Sequence, residues 1–88
     1  MYQITEYSNR KAKDLGVDIY PSKRKYKKID VFKNGQYLVS IGDIHYKDYP
    51  TFLAQDGLEI ADKHRRLYRN RHKNDSGIAG KLAMYILW

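Results

Sequence analysis

Apolar and polar positions change period several times along the chain, and each change predicts an element. From Ser8 on, Ala12 and Leu15 fall on one side of a helical spacing, Ser8 or Asn9 can cap it, and Gly16 supplies a left-handed stop. The spacing predicts a helix over 8–15. Ahead of it, Met1 to Tyr7 reads as a short strand or a frayed end. Val17-Asp18-Ile19-Tyr20 alternates until Pro21, which has no amide donor and ends any central strand. Asn34-Gly35 then separates two β-rich stretches, predicting a hairpin over 26–41. A two-residue loop would turn Ile29 and Val31 away from Tyr37, Val39 and Ile41. A three-residue loop, Lys33-Asn34-Gly35 with Gly35 as a left-handed bulge, pairs Val31 with Tyr37 and Ile29 with Val39, gathering all five on one face. That is the expected register, with Lys28, Asp30, Phe32, Gln36, Leu38 and Ser40 on the other face.

Beyond Gly42, the stretch Asp43 to Pro50 has no clear period and reads as an aromatic loop. A helix is expected over 57–73, with Ile60, His64, Leu67 and Arg71 along one stripe and Ala61 and Tyr68 beside it. Its Glu59/Lys63 and Asp62/Arg66 pairs place acid before base four residues apart, worth ~0.3–0.5 kcal/mol each. Asn74-Asp75-Ser76-Gly77 breaks the chain, Ser76 can cap, and Ile78, Leu82, Tyr85 and Ile86 give a last helix an apolar face over 77–88. The closing Ile86-Leu87-Trp88 should be packed. The expected architecture is α+β: a single small domain, 1–88, in which a hairpin-based sheet packs against two or three helices.

Composition narrows the function. With 88 residues there is room for one core, and 42% hydrophobic with 31% charged residues suits a folded domain rather than a disordered tail. No run approaches the ~18–20 apolar residues a bilayer requires, and no short apolar secretory core opens the chain. A role inside a cell, away from the membrane, is expected. Cysteine is absent, which removes disulfides, thiolate ligands and a cysteine nucleophile. The formal charge of +7 draws phosphates or acidic surfaces, and nine tyrosines supply flat rings with polar tips.

Candidate chemistry is sparse. His64 and His72 would lie about 80° apart around a helix and roughly 12 Å along it, too far to share an ion unaided. With His45 they make no metal-ligand pattern, a resemblance to ββα-metal nucleases rests on assumption alone, and there is no glycine-rich phosphate loop. No enzyme activity, metal or cofactor is expected. Positive charge is segregated instead. Lys23, Arg24, Lys25, Lys27 and Lys28 form one cluster; Lys63, Arg65, Arg66, Arg69, Arg71 and Lys73 form another, with the mainly acidic stretch from Asp43 to Asp62 between them. Lys63, Arg66, Arg69 or Asn70, and Lys73 should follow one exposed stripe, suited to a row of phosphates, although a charge run is also the ordinary form of a solvated face. Tyr26 and Tyr68 are placed for stacking, and Tyr46, Tyr49 and Trp88 for apolar anchoring.

The order of motifs resembles a family of small proteins encoded by large DNA viruses of the giant-virus type. The elements are Arg10-x-Ala12-x-x-Leu15-Gly16-Val17, Lys27-Lys28-Ile29-Asp30-Val31-Phe32, Asp48-Tyr49-Pro50-x-Phe52-Leu53, Arg65-Arg66-x-Tyr68-x-x-Arg71-His72 and Ile86-Leu87-Trp88. The resemblance covers nearly the whole chain. It implies a viral setting, in the virion or the infected-cell cytoplasm or nucleus, and brings no active-site residue with it.

The leading expectation is a non-enzymatic viral accessory or virion protein that binds a polyanion, foremost nucleic acid, without sequence specificity. Arg65, Arg66, Arg69 and Arg71 would be the main contacts, and Lys23 to Lys28 a mobile second arm. One alternative is a minor capsid or cement protein on acidic surfaces of coat subunits. Another is an inhibitor docking on a host protein, against which the positive sign of the field counts.

Overall fold

In the computed structural model, which describes residues 2–88, the first helix, α1, spans Glu6–Leu15. It begins at Glu6 rather than Ser8 because Thr5 is its cap: Thr5 Oγ1 accepts from the Ser8 amide. Ser8 faces inward, and its fully buried hydroxyl donates to the Ile86 carbonyl at 2.9 Å, tying the first helix to the last. Gly16 ends α1 at φ 71°, a conformation open to a residue without Cβ. Tyr2 and Ile4 pack on the core in neither a strand nor a frayed end, while Met1 lies outside the described residues.

Three antiparallel strands follow in the order β1 (Asp18–Pro21), β2 (Lys27–Lys33) and β3 (Gln36–Asp43). Pro21 sits at the end of edge strand β1, opposite Ile29, where its missing donor costs the sheet nothing central. The hairpin register differs from expectation. Asn34 and Gly35 both have positive φ, 53° and 79°, and alone form the turn, so Lys33 pairs with Gln36 and Phe32 with Tyr37. The extra residue needed to align the apolar set lies within β3: the register shifts there, Leu38 is left unopposed, and Val31 meets Val39 and Ile29 meets Ile41. Asn-Gly closes the tight turn with little strain, and the bulge lets Leu38 and Val39 both pack on the core. Tyr37 consequently joins Phe32 on the outer face.

The core is Ile29, Val31 and Ile41 of the sheet against Ala83, Ile86 and Leu87. The last two of these belong to the end of the chain. Helix α4 spans Ile78–Ile86, starting after Gly77, which makes no side-chain capping bond, so Ser76 is not the cap. It crosses β3, and α1 packs against α4 and β1. Each buried Ile or Leu here stabilises by ~1.5–3 kcal/mol. Leu87 and Trp88 follow α4 as a packed tail.

Between sheet and α4 the chain forms a helical hairpin of α2 (Tyr49–Asp56) and α3 (Leu58–His72), divided at Gly57. Helix α2 replaces part of the expected loop. Asp48 caps it by accepting from the Thr51 amide, and Pro50 in the first turn has no donor to lose. The inward stripe of α3 is Ala61, Arg65 and Tyr68, so Ile60 and Leu67 are 41% and 50% exposed, against expectation. Among the described residues the fold is α+β: a three-stranded sheet built on a hairpin, with four helices.

Candidate functional site

The loop that leads into α2 is held by one carboxylate. Asp48 is fully buried and accepts from the Tyr2 hydroxyl at 2.6 Å, the Lys28 ammonium at 2.9 Å, and the Thr51 amide and hydroxyl at 3.0 and 2.6 Å. Burial acts to raise its pKa, but the hydrogen bonds from Thr51 and Tyr2 and the charge of Lys28 outweigh it and hold the carboxyl below the usual range. Tyr2 is driven well above the ordinary phenol range, first by burial and then by its bond to Asp48. Next to this anchor the Tyr49 amide donates to the Leu87 carbonyl at 3.0 Å, fixing the helical hairpin to the chain end. Gly42, at φ 80°, lets the two sides approach: a Cβ there would lie 2.8 Å from Leu87 Cδ1 and 2.9 Å from Lys28 Cδ.

Above the anchor lies a groove of about 810 Å³. Its aromatic wall is continuous. Trp88 stacks on Tyr68 with centroids 4.3 Å apart and planes 7° from parallel, and Tyr68 meets His72 at 4.3 Å. Phe52 stacks on His64 at 4.0 Å and reaches Trp88 at 6.2 Å. Burial, with Asp75 second, raises the Tyr68 pKa, so its ring remains a neutral platform. Lys27, Lys47 and Arg71 line the same groove. Lys27 comes from the first basic cluster and Arg71 from the second, so the groove is where the two clusters converge. Asp43, the acid on its lining, is engaged by the His45 amide and ring at 2.9 and 2.7 Å, which hold its carboxyl below the usual range.

Two cations expected at the binding face are internal. Lys28 is buried by its pairing with Asp48. Arg65 lays its guanidinium 3.4 Å from the centre of the Tyr49 ring and donates to the Tyr7 hydroxyl at 3.2 Å, leaving its buried Nε without a partner. Tyr49 is likewise no surface anchor, being 6% exposed and donating to Asp62 at 3.1 Å. The arm Lys23 to Lys28, expected to be mobile, is tied to the fold: Lys27 and Lys28 open β2, Ser22 and the Lys23 amide bond to Asp30, and the Lys27 amide bonds to the Arg24 carbonyl at 3.2 Å. Tyr26 within it has a positive φ of 68° and is exposed beside His45.

The other cluster members, Lys23, Arg24, Lys25, Lys27, Lys63, Arg66, Arg69, Arg71 and Lys73, are exposed. Arg69 donates to the main-chain oxygen of Trp88 at 3.1 Å and steadies the aromatic wall. Tyr46 is exposed at the groove, and Tyr68 and Trp88 are half-buried in it. Lys47, bonded to Asp56 at 2.9 Å, was not legible in the sequence, because a lone lysine among aromatics and acids gives no pattern. The stack of Phe52 on His64 was equally hidden, since it exists only once α2 folds back on α3.

His72 bonds to Asp75 at 2.8 Å and His45 to Asp43, each an isolated pair. Among the described residues no three histidines, aspartates or glutamates gather to hold an ion, and no helix is long and apolar enough to cross a membrane. Compared with family models, curated proteins and solved structures, the chain matches none.

Proposed function

We propose that this is a non-enzymatic nucleic-acid-binding protein of a viral setting, one that grips phosphates without reading sequence and lays unpaired bases in the groove. One observation carries the reading. Among the described residues, Lys23, Arg24, Lys25, Lys27, Lys63, Arg66, Arg71 and Lys73 make no salt bridge to an Asp or Glu, and two of them, Lys27 and Arg71, line a groove walled by stacked aromatic rings. Unpaired cations keep their field for an external anion, and rings beside them suit bases, which all present a π-face. Titration with single-stranded and duplex DNA at several salt concentrations tests it. Log affinity should fall with log salt by ~0.7 per single-strand phosphate neutralised and ~0.9 per duplex phosphate. No binding of either at low salt rejects the reading.

The exposed Leu58, Ile60 and Leu67 of α3 favour a second reading, a minor capsid protein seated on acidic coat subunits through these apolar contacts. Particles stripped of their genome would then retain the protein, whereas a genome-bound protein leaves with the nucleic acid.

A further inference from the structure

The outer face of the sheet carries a second aromatic surface, away from the groove. Tyr20 of β1, Phe32 of β2 and Tyr37 of β3 cross all three strands, with centroids 5.5 Å apart for the first pair and 5.7 Å for the second, both edge to face. The register explains the row: Phe32 pairs with Tyr37, and Tyr20 pairs with Asp30, two residues from Phe32 on the same side. Tyr20 is 54% and Tyr37 41% exposed, so both rings are open to a ligand. The helices that pack on the sheet, α1 and α4, serve its apolar side.

Charge is built beside these rings. The Arg24 guanidinium lies 5.2 Å from the Tyr37 centroid, and its loop is pinned from beneath by Asp30, which accepts from Ser22, Ser40 and the Lys23 amide. Tyr37 joins the same network through its hydroxyl and Ser40, 2.8 Å apart. Asp30 spends its charge inside this network, and Asp18 is the acid left exposed on this face. Lys23, Arg24 and Lys25 all lie exposed on the pinned loop.

We infer that this outer face is a second nucleic-acid surface, on which Tyr20 and Tyr37 stack unpaired bases while Arg24 and Lys23 hold the adjoining phosphates. It rests on the nucleic-acid reading above but uses none of the groove residues. A sheet with exposed rings offers a flat bed to splayed bases, and a guanidinium already parked on a ring needs only to swing outward to meet a phosphate. Base pairs keep their faces stacked on each other, so the surface favours single strands over duplex.

The test uses the full chain and a thymidine oligonucleotide, plain or substituted with iodouracil. Ultraviolet cross-linking of the wild-type protein to the iodouracil strand, read by mass spectrometry of peptides, should place adducts on Tyr20 or Tyr37, and should still do so in the groove variant K27A/R71A. Tyr20→Leu with Tyr37→Leu keeps apolar cover on the sheet but removes the π-faces, and should weaken single-strand binding on the order of tenfold. Duplex affinity should stay within about twofold, as phosphate contacts dominate there. Cross-links confined to groove residues would overturn the inference and leave the groove reading intact, and so would unchanged single-strand affinity in a folded Y20L/Y37L. Absence of all binding by the wild type at low salt would overturn both. The cross-link is read on the wild-type chain, so it decides the matter even where the double variant fails to fold.

Discussion

Asp48 draws together Tyr2 from the N-terminal segment, Lys28 from β2 and Thr51 from α2. A buried ammonium and carboxylate are stable only as a pair, because the attraction offsets the loss of water from both. Asp48→Asn leaves the Lys28 charge buried without its counter-charge, at a cost of ~3–5 kcal/mol. That is of the order of all the stability a core of this size commands. The variant is expected to be largely unfolded by circular dichroism, and K28M/D48N to regain a cooperative melt. A D48N melt indistinguishable from wild type would show the pair to be ornamental. The same residue sets the response to acid. Its folded pKa lies below the unfolded one, so the carboxylate stabilises the fold above the usual carboxylate range, ~pH 4, and that contribution is lost as pH falls through the lower folded value. Asp30 is also lowered: its bonds from Ser22, Ser40 and the Lys23 amide overcome the opposing, larger single effect of burial. Melting temperature should therefore fall as pH drops below ~5 in the wild type, and less steeply in K28M/D48N, where Asp30 alone of the two remains.

Helix α3 divides its arginines between two tasks. Arg65 lies over Tyr49 and bonds to Tyr7, while Arg66 points to solvent one residue later. Arg65→Ala should lower the melting temperature with little change in the salt dependence of DNA binding. Arg66→Ala should leave stability within about 0.5 kcal/mol and flatten the salt slope instead. Thermal melts and salt titrations of the two variants, run side by side, distinguish these outcomes. The sequence could not separate them, because adjacent arginines on a basic helix look alike until the inward stripe is known. That stripe was misread because Ile60 and Leu67 have the apolar spacing, yet the helix turns Ala61, Arg65 and Tyr68 inward to meet Tyr49 and Trp88. Elements with strong local chemistry were legible: Gly16 ends α1 and Pro21 ends the edge strand, whereas the turn at Asn34-Gly35 was legible in place but not in length, a three-residue loop being expected where two residues suffice. The bulge at Leu38 was legible as a need for one extra residue, though not as a position, since turn and strand can each supply it. Helix α2 announced itself only by Asp48 ahead of Pro50, a cap signal submerged in aromatic residues.

At the scale of the molecule, the basic clusters read from the sequence are joined by tertiary folding. The groove sets Lys27 of β2 and Arg71 of α3 on a shared lining, and the chain end delivers Trp88 to stack on Tyr68 between them. The buried acid Asp48 is neutralised by Lys28, while Asp43 on the groove lining and Asp75 beside Tyr68 are held by hydrogen bonds to His45 and His72. Charge concentrated beside a pre-stacked aromatic wall is the physical basis of the proposed binding. Trp88 is the only tryptophan in the chain and lies in that wall, so its emission reports on the groove directly. Titrating a single-stranded oligonucleotide into the protein at low salt should quench it. The quenching should reverse as salt is raised and require more oligonucleotide in K27A/R71A. Emission that stays unchanged at saturating oligonucleotide in low salt would contradict the account.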